Sequence, residues 1–195
     1  MNYSALIGKS SNKEQVMQTN ARINDIVRVI MHADSKASRF TERLAEHLRG
    51  ADDMSTLHNV WAFTKQHIRY RRDRAGKEVV KSPGRTWEDG YADCKGMSIF
   101  MGSILKNLGY KFVYRVARYD SSNPDQGHIY PVVMLDGKEV VVDAVHKSFN
   151  REYPYWRKRD YAPAPAPAAV SGPAPKKQSI TWAIALLTTF LVLSK

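Results

Sequence analysis

The stretch that decides the fold is Tyr91-Ala92-Asp93-Cys94-Lys95-Gly96-Met97-Ser98-Ile99-Phe100, which contains the only cysteine of the 195-residue chain. Asp93 belongs to the residue types that cap helix N-termini, and apolar residues follow it at helical spacing. The sequence therefore predicts a helix that begins at Cys94. The free N–H groups and the positive dipole end of such a helix stabilise an anion, so we expect a nucleophilic thiolate at this position.

The predicted helix is apolar on nearly every side and ends at Gly109. Its apolar residues are Met97, Phe100, Met101, Ile104, Leu105 and Leu108. A helix without a polar face is buried inside a domain. We therefore expect it to pack between other helices and a sheet, with residues 111–119 as the first of three antiparallel strands.

Apolar residues at helical spacing predict further helices before the cysteine. One helix face would contain Val16, Ile23, Val27 and Ile30, and later faces would contain Phe40, Leu44 and Leu48, then Leu57, Val60, Trp61, Thr64 and Ile68. Such stripes are typical of core packing. Residues 71–83 are polar and charged, which predicts a loop between these helices and the cysteine helix.

A predicted β-hairpin after the helix brings a histidine and an aspartate together. Residues 131–135 and 138–142 flank Asp136-Gly137, the pair typical of a two-residue type I′ turn. If Leu135 pairs with Lys138, counting outward makes His128 and Asp143 diagonal neighbours on one face. Diagonal pairs lie roughly 7–8 Å apart at the backbone, within reach of these side chains.

Two nearby residues bear on that register. Pro131 cannot donate to a sheet ladder, which favours an edge strand or a bulge, and a bulge would turn His128 to the other face. His146 falls on the opposite face from His128 by the same count. We therefore expect His128, and not His146, to lie beside the thiol.

Each candidate residue also has a structural explanation. Cys94 could be a buried packing residue, His128 a surface residue at a strand start, and Asp143 a turn residue at a strand end. Trp87 and Gln66 are candidates for lining an oxyanion site. Core packing for Trp87 and surface exposure for Gln66 are the expected alternatives.

Several short motifs carry a resemblance to a known family over residues 57–150. They are Trp61-Ala62-Phe63, His67-Ile68-Arg69-Tyr70, Ser82-Pro83-Gly84-Arg85-Thr86, Ala92-Asp93-Cys94 and Leu105-Lys106-Asn107-Leu108-Gly109-Tyr110. The chain resembles the transglutaminase-like superfamily of papain-fold thiol enzymes, and within it the small bacterial and phage-associated members. The resemblance implies an α+β fold with N-terminal helices, a buried cysteine-bearing helix and a small antiparallel sheet.

The same resemblance implies a catalytic triad of Cys94 as nucleophile, His128 as base and Asp143 as orienting acid. Two positions depart from the family pattern. Ala92 stands where such proteins often have glycine. Pro131-Val132 stands where a glutamate often follows the His-x-aromatic motif, which bears on substrate specificity.

The chain is basic, with 30 Lys and Arg against 19 Asp and Glu and a formal net charge of +11. The basic residues cluster at 69–74 and 157–159, but neither cluster contains a stacking platform or a nucleic-acid motif, so nucleic-acid binding is not predicted. No Cys-x-x-Cys or His-Glu-x-x-His motif is present, so no metal ion or cofactor is predicted. A single cysteine permits no internal disulfide.

The C-terminal part has a different composition. Alternating Ala and Pro from residue 162 predict an extended spacer, and Ile180 to Leu193 carries no charge. This segment predicts a membrane anchor, with the basic residues before it holding the catalytic domain on the cytoplasmic side. As a helix it would be only about 22 Å long against a hydrocarbon core of roughly 30 Å. An apolar tail in the membrane interface, or one buried in a partner, is the alternative.

These observations predict four regions: an N-terminal helical part (1–54), a catalytic core (55–160), a Pro/Ala linker (161–178) and a tail anchor (179–195). The predicted function is a membrane-tethered cysteine enzyme that cleaves amide bonds in a peptide, a protein or a peptidoglycan peptide. Two alternatives stay open. One is a transamidase that cross-links proteins, and the other is a catalytically idle structural protein of a virion or envelope.

Overall fold

The computed structural model describes residues 2–10, 15–19, 22–74, 76–123 and 126–163 of the chain. Its α-helices are α1 (Ile23–Asp34), α2 (Glu42–His47), α3 (Asp53–His67), α4 (Pro83–Asp89) and α5 (Cys94–Asn107). Its strands are β1 (Gln15–Thr19), β2 (Arg69–Tyr70), β3 (Lys77–Lys81), β4 (Tyr91–Ala92), β5 (Phe112–Arg118), β6 (His128–Leu135), β7 (Lys138–Val141) and β8 (Arg157–Tyr161). The predicted α+β class is confirmed.

Helix α5 begins at Cys94, as predicted, because the Asp93 side chain caps it. The Asp93 Oδ1 atom accepts a hydrogen bond of 3.1 Å from the Gly96 N–H. The helix packs against β6 on one side and against α2, α3 and α4 on others, and all its residues from Lys95 to Leu105 are buried. At Gly102 the sheet approaches so closely that the Tyr114 hydroxyl leaves no room for a Cβ atom. The prediction of a helix buried between helices and sheet is confirmed.

The main sheet has four strands in the order β7-β6-β5-β8, all antiparallel. The hairpin of β6 and β7 has the predicted register, with Leu135 opposite Lys138. Asp136 and Gly137 both have positive φ angles, 49° and 76°, as a type I′ turn requires. The register therefore follows directly from the turn.

Pro131 lies in an interior strand, so the expectation of an edge position is wrong. It pairs with Tyr114 of β5 in continuous register, without a bulge. On its other side the Val142 N–H donates to the Pro131 carbonyl at 3.0 Å, but proline has no N–H to donate in return. Strand β7 ends at Val141, next to the position where Pro131 of β6 has no N–H to donate. The chain therefore leaves the β6–β7 ladder just before Asp143.

Strand β8 was not predicted. The basic residues of 157–159, expected beside the membrane, form part of this strand and pair with β5. On the outer face of the sheet Arg115 is only 1% exposed. Its guanidinium donates hydrogen bonds to Glu139, Glu152 and Asp160. The sheet therefore has one strand more than expected, and a buried arginine ties β8 to β5.

The N-terminal part contains a strand where the sequence predicted only helices. Val16 lies in β1, which pairs antiparallel with β3, and its side chain is 43% exposed. Its assignment to a helix face with Val27 and Ile30 is wrong, although those two are buried on α1. The predicted loop at 71–83 contains β3. A single apolar residue several positions before a helical stripe fits both the helical and the strand period. Spacing alone therefore could not show whether Val16 lies in a helix or in a strand.

In the described part of the chain, no helix combines the length and the apolar character needed to cross a membrane. Most of the predicted linker and all of the predicted tail anchor lie outside the described residues. Those two predictions, and the domain boundary at residue 54, stay predictions.

Candidate active site

A short parallel strand pair positions the cysteine. β2 and β4 pair through Tyr70 and Ala92, and the Arg71 N–H donates to the Ala92 carbonyl at 2.8 Å. Cys94 lies two residues after β4 and begins α5, where it is partly exposed. The backbone N–H groups of Cys94 and Lys95 lie in the first helical turn, where helix geometry provides no acceptor. They are free to stabilise a negative charge beside the sulfur.

His128, the first residue of β6, links the cysteine to the aspartate. Its Nε2 atom lies 2.6 Å from Asp143 Oδ2, and its ring and the Cys94 side chain line the same cavity. Burial lowers the pKa of His128, but the hydrogen bonds to Asp143 and Cys94 outweigh it and raise the pKa to about 10. The imidazole is therefore protonated at neutral pH. The structure brings together the three residues that the sequence singled out.

The Asp143 segment is held from two directions. Its carboxylate is 3% exposed, and the Oδ1 atom accepts a hydrogen bond of 3.0 Å from the Val145 N–H, the geometry of a turn residue. From α3, the Trp61 indole N–H donates to the Asp143 carbonyl at 2.9 Å, and Lys65 donates to the carbonyls of Ala144 and His146. Asp143 is thus both the predicted turn residue and the partner of His128.

His146 lies closer to this group than the sequence predicted. Its Nε2 atom is 3.2 Å from Asp143 Oδ2, and its ring meets the His128 ring edge-to-face at 5.2 Å. Burial lowers the pKa of His146, and repulsion from protonated His128 acts in the same direction. The assignment to the opposite face is wrong because the chain leaves the strand after Val141, so the alternation of faces no longer applies.

Cys94 and His128 open onto a cavity of about 630 Å³. Apolar side chains of α1, including Ile23, Ile26 and Ile30, form one wall, and polar residues of the segment after β2 form another. Tyr70 and Tyr119 also line it. Burial raises the pKa of both tyrosines, to about 12 for Tyr119, and negative charge at Cys94 adds to the shift. Both phenols are therefore neutral hydrogen-bond donors near the sulfur.

The two residues considered for an oxyanion site lie elsewhere. Trp87 is not among the residues that line this cavity. Its indole N–H donates to the Ser4 hydroxyl, and its ring stacks on Phe63 at 5.8 Å. Gln66 is exposed on α3. The structural alternatives, packing for Trp87 and surface exposure for Gln66, are the correct ones.

Lys95 is the part of the site that the sequence analysis missed. It is 6% exposed, and its ammonium bonds Asp93 and lies 2.6 Å from Glu78 Oε2 and 3.3 Å from Asp73 Oδ2. The only local signal was Lys95 beside Asp93, since Asp73 and Glu78 come from a separate segment.

Two groups in the described part of the chain have the spacing of metal ligands. They are His128, Asp143 and His146, and Asp73, Glu78 and Asp93. In the first group Asp143 is already hydrogen-bonded to His128. In the second group the Lys95 ammonium lies among the carboxylates. The protein itself therefore supplies a positive partner in each group.

Residues 39–156 match the transglutaminase-like domain family, and the chain belongs to this family. The resemblance to the transglutaminase-like superfamily is thus confirmed, and it supports a cysteine-type enzyme in general terms. No curated protein matches the chain.

Solved structures show weaker likenesses. Legionella pneumophila LapG is 19% identical, with 66% of this chain and 77% of that chain covered and a TM-score of 0.44. Its calcium-bound form is 18% identical, with coverage of 66% and 76% and a TM-score of 0.45. A candidate cysteine protease from Cytophaga hutchinsonii is 12% identical, with 64% of this chain covered and a TM-score of 0.39. This chain spans only 39% of the length of that protein.

Proposed function

We propose that this protein is a cysteine hydrolase that cleaves amide bonds in peptides through Cys94, His128 and Asp143. One observation carries the proposal: His128 lies with Cys94 in one cavity, and its Nε2 atom is 2.6 Å from the buried carboxylate of Asp143. A nucleophile, a base and an orienting group in hydrogen-bonded sequence are the arrangement that covalent acyl transfer requires.

The first half of the reaction forms an acyl-enzyme. The Cys94 thiolate attacks the carbonyl carbon of the amide, and the oxyanion that forms accepts hydrogen bonds from the free N–H groups at the start of α5. Protonated His128 then donates its proton to the departing nitrogen, and the C–N bond breaks. The amine leaves, and the acyl group remains on the sulfur as a thioester.

The second half returns the enzyme to its initial state. Neutral His128 accepts a proton from a water molecule that attacks the thioester carbonyl. The C–S bond breaks, the carboxylic acid leaves, and Cys94 and His128 are again a thiolate and an imidazolium. Asp143 orients His128 throughout and stabilises its imidazolium form, because its carboxylate lies against the Nε2 atom.

The cavity favours a peptide as the substrate. Its volume of about 630 Å³ lies in the range that binds extended ligands. The apolar wall from α1 suits an aliphatic side chain, and the exposed Arg72 and Arg74 near its rim suit an acidic group. A peptide, a protein segment or a peptidoglycan peptide offers both an aliphatic side chain and an acidic group.

Membrane attachment through residues 180–193 is part of the same proposal. The support is the uncharged, apolar sequence of that segment and the basic residues before it, which favour a cytoplasmic catalytic domain.

The test of hydrolysis compares the full-length chain with the Cys94→Ala variant. We expect the wild type to cleave members of a fluorogenic peptide library and to form a thioester adduct detectable by intact-mass spectrometry. Cys94→Ala should do neither while keeping the wild-type circular dichroism spectrum. Equal cleavage by the two proteins would refute the proposal. An idle fold would show no cleavage and slow alkylation of Cys94 by iodoacetamide, even at neutral pH.

A further inference from the structure

The residue directly after the nucleophile is a buried lysine surrounded by acids. The Lys95 ammonium bonds the Asp93 carboxylate and lies 2.6 Å from Glu78 Oε2 and 3.3 Å from Asp73 Oδ2. Only 6% of Lys95 is exposed. A lysine is buried to this degree only when its charge is paired. Three carboxylates around one ammonium leave an excess of negative charge beside Cys94.

These contacts join the two sides of the active-site entrance. Asp93 caps α5 through its Oδ1 atom, so its bond to Lys95 holds the cap in place. Asp73 also accepts a hydrogen bond of 2.7 Å from the Val79 N–H, which ties Asp73 to β3, the strand that contains Glu78. Asp73, Arg74 and Glu78 line one side of the cavity, which we call the Asp73–Glu78 wall. Lys95 therefore fastens this wall to the helix turn that presents the sulfur.

The charge of Lys95 also acts on the sulfur itself. Burial alone would lower the pKa of Lys95, but attraction to Asp93 and to the Cys94 thiolate raises it well above its ordinary value. Burial raises the pKa of Asp93, with repulsion from Asp73 adding to the rise and Lys95 opposing it. Without the ammonium, the thiolate would face three carboxylates and no compensating charge from this cluster.

We propose that Lys95 is a positioning residue of the active site, whose ammonium offsets the three carboxylates beside the Cys94 thiolate and holds the Asp73–Glu78 wall against the start of α5. For its effect on turnover, this inference rests on the proposed hydrolysis. Its effect on the thiol does not, because the thiol can be titrated without a substrate.

The competing explanation is an ion pair that only stabilises the fold. Lys81 provides the matched control, because it is 7% exposed and its ammonium lies 2.7 Å from Asp89 Oδ2. It is not among the residues that line the cavity. Lys81→Met removes a buried lysine charge of the same kind at a position outside the cavity lining, where the ammonium contacts the site only through Tyr91 of β4.

The experiment measures the rate of iodoacetamide alkylation between about pH 5 and about pH 10 in the full-length chain, where Cys94 is the only thiol. Lys95→Met should move the midpoint of the profile upward by about one pH unit or more, which slows alkylation about tenfold at pH values below both midpoints. Lys95→Arg keeps the charge, so its alkylation rate should stay within about threefold of the wild-type rate, the change expected when the midpoint moves by half a pH unit. Lys81→Met should lower the melting temperature and leave the midpoint unchanged.

A second variant covers the case in which Lys95→Met does not fold. Glu78→Gln removes one carboxylate from the cluster and should move the midpoint to lower pH. If the midpoint of Lys95→Met equals that of the wild type, the proposal is overturned and Lys95 is a purely structural residue. If Lys95→Met is unfolded, an unchanged midpoint in Glu78→Gln leads to the same conclusion. If no variant cleaves any peptide, the proposed hydrolysis fails, but the alkylation profiles still decide the role of Lys95.

Discussion

The indole N–H of Trp61 donates a 2.9 Å hydrogen bond to the backbone carbonyl of Asp143, across 82 positions of sequence. Helix α3 thereby holds the residue that is hydrogen-bonded to His128, although none of its own residues lines the cavity. Because Asp143 follows the end of β7, it lies beyond the residues of β7 that pair with β6. The geometry of the candidate triad thus depends on a tryptophan in a separate element.

Trp61→Phe should therefore impair activity more than stability. The variant keeps the ring packing and loses one hydrogen bond, at a cost of about 1 kcal/mol in unfolding free energy. A misplaced Asp143 should lower kcat/KM about tenfold, a barrier increase of about 1.4 kcal/mol. Trp87→Phe is the control, because Trp87 loses a comparable bond to Ser4 outside the cavity. Equal kinetic losses in the two variants would argue against this role of Trp61.

Asp143→Asn should shift the alkaline side of the pH–activity profile. In the wild type the pKa of His128 is raised to about 10, with Asp143 the largest raising contribution. Asparagine still accepts a hydrogen bond but has no charge, so His128 should lose its proton at lower pH. The measurement is kcat/KM against pH, and the alkaline limb should move toward neutrality. A limb that stays near pH 10 in the variant would exclude His128 as the titrating group.

The charge on His128 should also make stability depend on pH. Its pKa rises on folding from 6.5 to about 10, so the stabilisation is fully present below about pH 6.5 and is lost as the pH rises to about 10. Denaturant unfolding of the wild type and of His128→Gln gives the difference in free energy at each pH. That difference should be larger at pH 6 than at pH 10. A difference in unfolding free energy that increases with pH would contradict the raised pKa of His128.

Water should be the usual acceptor of the acyl group. The sequence shows no signature of an amine-acceptor pocket, so we expect hydrolysis to exceed amine incorporation. The peptide library, assayed with and without a labelled primary amine, measures both products. Incorporation of the amine faster than hydrolysis would make the protein a transamidase, with the same three residues in the same roles.

Two truncations test the C-terminal part. A chain that ends after Tyr161 keeps β8 and should have wild-type peptidase activity, but it should no longer sediment with membranes. A chain that ends after Tyr155 loses β8 and the Asp160 partner of Arg115. Its unfolding free energy should fall by at least about 3 kcal/mol, since ladder hydrogen bonds contribute about 1 kcal/mol each. If salt or carbonate washes the full-length chain off membranes, the tail does not span them.

Local rules were enough to predict the centre of the candidate site. Asp93 caps a helix within three residues of itself, and Asp136-Gly137 sets a turn between directly adjoining strands. From these two signals the sequence predicted where Cys94 begins its helix and how His128 faces Asp143. Both predictions depend on short-range geometry, which neighbouring residues in the sequence determine.

Spacing alone misplaced residues where the chain changes element. His146 was assigned by strand alternation beyond the point where Pro131, with no N–H, ends the pairing of β6 with β7. Val16 was assigned to a helix because its pairing with Val80 of β3 leaves no local mark. Alternation and helical period hold only within an element, and neither pattern marks the boundary.

By itself, the sequence determined the candidate nucleophile, its helix and the hairpin that carries the histidine. Only the tertiary structure decided what surrounds them: Trp61 on Asp143, His146 beside it, and Asp73 and Glu78 on Lys95. Most of these contacts join residues that are far apart in sequence and depend on how separate elements pack. Charges and hydrogen bonds between such elements leave no periodic pattern in the chain, because only the closed core brings their atoms within reach.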